Sequence, residues 1–311
     1  MALVTSDFLA NALKNFRTMF ANEFEAAKKL MAWKLISQEI SSNATEETYE
    51  WLGTVPKMEE LKGGDFVFDE IGGPYSLTIT NLEWQTGFEV ARITFEDDKL
   101  GQIRPKISDL ALEAARFPGE KIWNLFETPG NAFDGTAFFS DSRTIGDSAN
   151  IDNIQVASGA TVANFQANLA TARGVMRKFE DDKGRPMDLI GNTIVVPPEM
   201  EQTAYQALNA VQTSLTVPVV AAGTGDRFTG SGYQVLVNPY LTDAVDWYLL
   251  ANGPGDRRPF IFQNRANPIF NGITDPNSDA GVIRRRFAYT AYSRFNVGVG
   301  DPRRAIKLVE A

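Results

Sequence analysis

The sequence predicts an α+β fold, and three patterns carry that prediction. Apolar and polar side chains alternate from Arg286 to Val299, the two-residue period of a β-strand, over an unusually long stretch. Apolar residues recur every three or four positions between residues 103 and 127, which indicates a long amphipathic helix. An Ile- and Val-rich run, Leu189 to Val196, feeds a helix that starts at Pro197-Pro198, as in a compact α/β lobe. We therefore expect two lobes.

The composition excludes several classes of enzyme. The 311 residues include no Cys and no His, so the chain can form no disulfide, no thiolate or imidazole metal site and no Ser/His/Asp triad. Carboxylate and Lys chemistry remains open. With 43% hydrophobic and 22% charged residues, the composition is that of a folded globular protein. We expect no cofactor, no metal and no catalytic residue.

The net charge of −9 is distributed unevenly along the chain. Residues 39–98 contain 14 Asp and Glu against 3 Lys and Arg, whereas residues 253–311 contain 10 Lys and Arg against 5 Asp and Glu. Such asymmetry usually reflects solvated faces. The alternative is charge complementarity between copies of the same chain.

The N-terminal segment is predicted to form an amphipathic helix followed by a strand from Trp33 to Ile40. The helix either packs on its own core or lies as an arm on a neighbouring molecule. Met1 to Leu30 lacks the uninterrupted apolar stretch of a signal peptide or membrane span, so we expect no membrane association. The apolar stripe of the helix comprises Leu9, Leu13, Phe16, Phe20 and Phe24.

The acidic segment that follows is predicted to form a long hairpin, reaching to about Phe88. Gly63-Gly64 and Gly72-Gly73 suit irregular turns, and Leu77 to Leu82 alternates as a half-exposed strand does. A hairpin of this length has little core of its own. It should therefore need another surface to order it.

The long helix contains a proline near its middle. Because Pro118 has no amide hydrogen and clashes with the preceding turn, we expect it to bend the helix or to break it in two. Pro105 is expected in the first turn, where proline is tolerated. A loop-rich stretch follows, and then a second amphipathic helix from Thr161 to about Glu180. Gln234 to Asn238 and Trp247 to Leu250 are predicted strands of the compact lobe.

Four short motifs resemble those of the Mu-like phage major head subunits, and they occur in the same order as in that family. The matches lie between about residues 48 and 142, and beyond them only the order of elements agrees. That family carries a His shortly after the fourth motif, where this chain has Ser142-Arg143. The motifs are Thr48-Tyr49-Glu50-Trp51-Leu52-Gly53 with Val55-Pro56-Lys57-Met58, Glu96-Asp97-Asp98 with Leu100-Gly101, Ala114-Ala115-Arg116-Phe117-Pro118-Gly119-Glu120, and Asp134-Gly135 with Phe138-Phe139-Ser140-Asp141.

The resemblance implies the Hong Kong 97-type capsid fold, whose parts can be assigned to ranges of this chain. Residues 1–40 would be the N-terminal arm and first strand, and residues 41–88 the extended hairpin loop. Residues 89–185 would be the peripheral domain with spine helix 103–127, and residues 186–262 the axial domain. Residues 263–311 would return to the peripheral domain and supply the long C-terminal strand.

The resemblance also implies a function. The chain would be a major capsid protein, not an enzyme, forming hexamers and pentamers that close into an icosahedral head around the double-stranded DNA of a tailed phage. Expected partners are further copies of the chain, together with scaffold, portal and decoration proteins, and the DNA would be enclosed without sequence-specific binding. The protein would be assembled in the host cytoplasm and located in the virion.

Candidate contact residues between subunits come from both ends of the charge distribution. Trp51, Lys57 and Met58 of the acidic hairpin would lie on an adjacent subunit, with Trp51 and Met58 as apolar anchors. Arg284-Arg285-Arg286 would supply the counter-charge. An alternative role for the arginines is contact with nucleic acid, which the acidic pI of about 4.8 and the lack of an aromatic-interleaved basic groove disfavour.

Other interpretations need different observations. A cellular nanocompartment shell of the same fold would carry protein cargo in place of DNA. A solute-binding or carboxylate-based hydrolytic domain would be a monomer with a closed cleft. Glu96-Asp97-Asp98 is better explained as a solvated turn than as a metal site, and the Gly-rich stretches at residues 223–226 and 253–256 as turns, because neither continues as a phosphate-binding motif.

Overall fold

The computed structural model describes residues 6–50, 54, 75–93, 100–213, 233–253, 257–275 and 278–310. The α-helices within these ranges are α1 (Ser6–Leu30), α2 (Leu100–Asn124), α3 (Val162–Arg177), α4 (Glu201–Thr213) and α5 (Asp279–Val282). The strands are β1 (Ser37–Ser41), β2 (Glu46–Glu50), β3 (Ser76–Thr80), β4 (Leu82–Ala91), β5 (Ile154–Ala157), β6 (Thr193–Val196), β7 (Gln234–Val237), β8 (Trp247–Leu250), β9 (Phe260–Ile273), β10 (Arg286–Val299) and β11 (Ala305–Glu310).

The first lobe, called here the long-sheet lobe, is built on a four-stranded sheet in the order β1-β9-β10-β4. Strands β9 and β10 each have 14 residues and run antiparallel, a length of about 45 Å at the usual rise per residue. The predicted long alternating strand is confirmed, because Phe287, Tyr289, Ala291 and Phe295 are buried between more exposed neighbours. Strand β1 pairs parallel to β9, and β4 pairs antiparallel to β10.

Helices α1 and α2 cover one face of this sheet. The apolar stripe of α1 is buried within the chain at Phe16, Phe20 and Phe24. Phe20 lies 5.3 Å from Phe270 of β9, and Phe16 packs edge-on against Tyr289 of β10, 5.8 Å between ring centroids. Of the two alternatives for the N-terminal helix, packing on its own core is therefore correct for this face. For Phe16, Phe20 and Phe24 the idea of an arm on a neighbouring molecule is wrong, because the rest of the same chain already covers these side chains.

The second lobe, the short-sheet lobe, has a five-stranded sheet in the order β5-β11-β8-β6-β7. Strands β6 and β8 are buried throughout, so their apolar runs are continuous and not alternating. Helix α3 begins at its cap Thr161, whose hydroxyl accepts a hydrogen bond from the Asn164 amide. It stacks Phe165 on Trp247 at 4.3 Å. The predicted second amphipathic helix is thus confirmed.

The two sheets share a core at their junction. Phe260, at the start of β9, lies 4.9 Å from Phe126 and 5.5 Å from Phe138 between ring centroids. Tyr248 of β8 packs edge-on against Phe126 at 4.7 Å and donates a hydrogen bond to the Phe126 carbonyl. Because aromatic rings from both sheets meet here, the lobes are packed against each other.

Three expectations about elements need correction. Trp33 lies in a 3-10 turn, and the strand after it begins only at Ser37. In this turn the Trp33 ring is buried and packs on Phe262 at 4.9 Å between ring centroids. Helix α2 extends from Leu100 without a break at Pro118, and Pro105 lies beyond its first turn.

The compact lobe draws on more of the chain than residues 186–262. Strand β11 at the C-terminal end pairs with β8 and with β5, so residues 154–157 and 305–310 belong to the short sheet. Helix α3 packs into the same core. Strand pairing between distant segments, which local periodicity does not reveal, accounts for the difference.

Candidate subunit-interface surfaces

The far end of the long sheet, called here the sheet tip, exposes four large aliphatic side chains. The pairing of Ala91 with Arg286 and of Ile273 with Ala288 brings the ends of β4, β9 and β10 together at this place. Exposed apolar groups gathered at one place are a feature of protein interaction surfaces. The four, between 53% and 76% exposed, are Ile93, Ile273, Val282 and Ile283.

The three predicted contact arginines border the sheet tip. Arg284, Arg285 and Arg286 are all exposed. Arg285 adopts a positive φ of 52°, a left-handed conformation that non-glycine residues rarely adopt, and its carbonyl accepts a hydrogen bond from the Arg92 amide. Arg286 forms a 3.0 Å ion pair with Glu89 of the same chain. One of the three predicted counter-charges is thus paired internally across β10 and β4.

The base of the acidic hairpin is attached to its own long sheet. Strands β2 and β3 pair antiparallel, and the Tyr49 hydroxyl donates a 2.8 Å hydrogen bond to Oε1 of Gln263. Gln263 is fully buried, and its Nε2 donates to the Ile79 carbonyl and to Asn81 Oδ1. Burial, and to a lesser extent Glu47, raises the pKa of Tyr49 to about 12. The hairpin base is therefore a fixed part of the subunit.

Farther along the hairpin, two described residues contact the short-sheet lobe. The Thr54 amide donates to both carboxylate oxygens of Asp182, at 3.1 and 3.0 Å. Burial raises the pKa of Asp182, but hydrogen bonds from Thr54 outweigh it and leave that pKa below its usual value. Tyr75 packs 5.9 Å from Phe133. Trp51, Lys57 and Met58, the predicted anchors, lie outside the described residues.

Pro118 lies buried on α2, where it lines a small cavity together with Phe262 and Phe295 of the long sheet. With no amide hydrogen at position 118, the carbonyl of Ala114 lacks its usual helical donor. The next residue, Gly119, packs so closely on Trp33 that an added Cβ would lie 2.5 Å from the ring. The missing hydrogen bond at Pro118 therefore lies beside the close contact between α2 and Trp33.

Two buried ion pairs at the junction of the lobes were missed by the sequence reasoning. Arg143 lies 2.9 Å from Asp134, and Arg303 forms two bonds, of 2.9 and 3.0 Å, to Asp301. Asp301 also accepts from the Arg303 amide as the cap of a 3-10 turn. An Asp directly before Pro302 is a cap signature that could have identified this pair. Arg143, at the place where the sequence departs from the family pattern, is a structural residue here.

Neither a metal site nor a membrane helix emerges from the described part of the chain. It contains no group of three Asp or Glu placed to hold a metal ion. None of its helices is long and apolar enough to cross a bilayer. Glu96-Asp97-Asp98, residues 223–226 and the Pro254 to Asp256 part of the second Gly-rich stretch lie outside the described residues.

Solved capsid structures share this architecture. The procapsid of bacteriophage JBD30 superposes with a TM-score of 0.56 at 21% identity, covering 99% of this chain and 76% of that one. The capsid of cyanophage P-SCSP1u gives 0.55 at 12% identity, over 90% of this chain and 88% of that one. A virus-like particle from Pyrococcus furiosus gives 0.52 at 11% identity, over 95% of this chain and 98% of that one. The long sheet, its two covering helices and the compact second lobe define the Hong Kong 97-type capsid fold.

Sequence comparison identifies the family within this class. The Mu-like prophage major head subunit gpT family matches residues 9–166, 153–241 and 230–307, so the chain belongs to that family. It is 24% identical to the Mu-like prophage FluMu major head subunit of Haemophilus influenzae, over 96% of this chain and 72% of that protein. It is 27% identical to the major capsid protein of Escherichia phage Mu, over 46% of each. The chain is a phage major capsid protein, a structural component of the virion and not an enzyme.

Proposed function

We propose that copies of this chain form hexamers and pentamers that close into an icosahedral head around double-stranded DNA. The sheet tip carries the proposal. Four large aliphatic side chains lie exposed at the end of the long sheet, and no described segment of the same chain covers them. Burying such groups against other copies is favourable by about 25 cal/mol per Å² of apolar area. Many modest contacts of this kind combine into a stable container.

The acidic hairpin is proposed to complete these contacts. Its base is held on the long sheet by Tyr49 and Gln263, and Thr54 and Tyr75 are held on the short-sheet lobe of the same chain, so the rest of the hairpin would be presented in a defined direction. Trp51, Lys57 and Met58 would lie on an adjacent subunit, and Arg284 and Arg285 would supply the counter-charge, with Arg286 available only if it leaves Glu89. The contact follows the general pattern of electrostatic complementarity between association surfaces.

The spine helix is proposed to change curvature during maturation. The missing hydrogen bond at Pro118 makes that point of α2 easier to bend, and bending there could store the difference between an immature and an expanded shell. Equal curvature at Pro118 in particles of both states would contradict the proposal.

Other components of the proposal concern partners and place. Assembly in the host cytoplasm with scaffold, portal and decoration proteins would complete a phage head. The rival within the same fold is the shell of a cellular nanocompartment. The family match favours the phage head. Particles that enclose protein cargo in place of DNA would favour the rival.

Electron microscopy of the overexpressed chain tests the proposal directly. Shells, tubes or rings are expected, and a persistent 34.3 kDa monomer in light scattering would contradict it. A variant with Arg284, Arg285 and Arg286 all changed to Glu should remain folded but fail to assemble. Normal shells from that variant would show that the arginines are not part of the interface. They would not contradict the proposed capsid function.

A further inference from the structure

A cavity of about 240 Å³ lies between the spine helix α2 and the long sheet, and it is called here the helix-sheet cavity. Its walls come from α2, from β4 and β10, and from Pro268 of β9. Gln85 and Thr86, which line it, are exposed, so a small molecule can reach it from solvent. The subunit contacts proposed above do not involve this space.

Small side chains on facing elements leave the helix-sheet cavity open. Ala291 of β10 pairs with Thr86 of β4, and both line the cavity from the side of the sheet. Ala114 of α2 lines it from the side of the helix. Protein interiors are normally packed without spaces much larger than a water molecule. A space of this size between a helix and a sheet is therefore a candidate binding site.

Aromatic rings border this space on both sides along the strands. On one side Tyr289 packs on an aromatic ring of β4 at 5.4 Å between centroids, and on the other Trp84 packs edge-on against Phe117 at 4.9 Å. Ala291 lies midway between Tyr289 and Ser293 on β10, and Ser293 is the residue with which Trp84 pairs. At the usual rise per residue, a ring placed over Ala291 would lie about 7 Å from the rings on either side. Aromatic rings attract one another up to about this separation.

The size and the polar groups of the cavity restrict its ligand further. A cavity of about 150 Å³ can hold benzene, so this one has room for two fused rings. Glu113 is the single carboxylate among the described lining residues, and it lies 3.1 Å from Arg116. Since that charge is already paired, a cationic ligand gains little. An anionic ligand would meet a carboxylate and no cation among the described lining residues.

We propose that the helix-sheet cavity binds a small, uncharged, planar aromatic molecule of about two fused rings. The ligand would complete the aromatic row between Tyr289 and Trp84 and would contact α2 at Ala114 and Phe117. Because both of these helix residues lie within one turn of Pro118, the bound molecule would hold this part of the spine helix against the sheet. One copy of the chain supplies the whole site, so the inference does not rest on assembly.

Titration of the whole chain with indole tests the site. Low-millimolar indole should raise the midpoint of thermal unfolding in a saturable way, because a ligand that binds only the folded chain stabilises it. Ala114→Leu should fill the cavity and weaken indole binding about tenfold or more in calorimetric titration. Ala26→Leu, the same substitution at an exposed position of α1, is the matched control and should bind as the wild type does. Absence of binding to the wild type, or equal binding by Ala114→Leu, would overturn the proposal.

Alanine-methyl NMR of the unassembled wild type locates the ligand without any substitution, so the proposal stays testable if Ala114→Leu does not fold. Ring currents of bound indole should shift the methyl resonances of Ala114 and Ala291. The methyl groups of Ala172 and Ala251, in the core of the short-sheet lobe, should keep their resonances. Unchanged resonances at Ala114 and Ala291, or equal shifts in both lobes, would contradict binding in the helix-sheet cavity.

A charged relative of the probe tests the predicted class of ligand. Indole-3-acetate carries the same ring with a negative charge and should bind about tenfold more weakly than indole, or less. Equal binding of the two would show that the class is wrong. Hydrogen exchange should slow at the α2 amides of residues 113–117 when indole is bound, and unchanged exchange would contradict a ligand that holds the helix. Indole binding and particle formation are measured separately, so either proposal can fail without the other.

Discussion

The two lobes differ in which of their side chains are buried and which are exposed. In the short-sheet lobe, β6 and β8 are buried on both faces, and the charges lie at the two ends of the sheet. In the long-sheet lobe, β10 alternates between buried and exposed positions, and the end of the sheet leaves aliphatic side chains uncovered. A lobe that is closed around its core offers little apolar surface to a partner, whereas an exposed apolar end is a feature of interaction surfaces. We therefore expect substitutions at the junction of the lobes and in the cores to lower the free energy of unfolding most. Substitutions at the sheet tip should lower it least.

The largest loss of stability is expected at the joint between the lobes. Arg303→Met would leave Asp301 buried without its two-bonded partner. The free energy of unfolding of the unassembled subunit should fall by about 3–5 kcal/mol, the usual cost of breaking a buried pair. Denaturant unfolding measures the loss.

The control for Arg303→Met also removes the Asp301 carboxylate, which that substitution leaves without its partner. Asp301→Asn in the same chain should recover part of the loss, and an equal loss in single and double variants would contradict the charge explanation. Burial raises the pKa of Asp301, but Arg303 outweighs it and holds that pKa below its ordinary value. The stabilisation is thus present above the unfolded pKa of about 3.9 and is lost as the pH falls through the folded pKa.

A smaller loss is expected where α2 meets Trp33. Gly119→Ala would place a Cβ 2.5 Å from a ring that cannot yield easily, and overpacking of this kind costs about 1–3 kcal/mol. Gly101 lies in the same helix with open space around it. Gly101→Ala should therefore stabilise by up to about 1 kcal/mol. If the unfolding midpoint shifts in the same direction in both variants, helix propensity and not the Trp33 contact determines the effect of Gly119→Ala.

The hairpin base should contribute still less to the free energy of unfolding, and its contribution should decrease at alkaline pH. Tyr49→Phe removes the hydrogen bond to Gln263, at a cost of about 1 kcal/mol. The pKa of Tyr49 is raised to about 12, so between pH 10 and that value the unfolded chain loses a proton that the folded chain keeps. Stability should fall with rising pH in this window, and less steeply in Tyr49→Phe. Parallel pH profiles for the two proteins would contradict the assignment.

The elements that could be predicted from sequence present one period over a long stretch. Strand β10 and helix α2 do so, and both were expected. Strand β9 is equally long but was not predicted. Its first four residues, from Phe260, are all buried, whereas most later ones are at least partly exposed, and Pro268 interrupts any alternation. Strands β5 and β11 are short and depend on pairing across the chain.

The candidate surfaces were predicted only in part for the same reason. The run Arg284-Arg285-Arg286 is visible as a local charge cluster. The aliphatic residues of the sheet tip come from three separated segments, so the sheet alone brings them together. The cavity that Arg173, Arg257 and Arg304 line beside the short sheet is likewise assembled from distant positions. Local sequence patterns therefore indicate single elements well and composite surfaces poorly.

The smallest effect on folding is expected at the sheet tip. Arg286→Gln breaks an exposed ion pair with Glu89, and such pairs contribute about 0–1 kcal/mol. Lys106→Gln, which breaks another exposed pair, with Asp109, serves as the matched control on α2. Both should leave the unfolding midpoint of the isolated subunit nearly unchanged. A loss from Arg286→Gln comparable to that from Arg303→Met would mean that the tip helps to hold the subunit together, and the contrast between a closed lobe and an open one would no longer describe this chain.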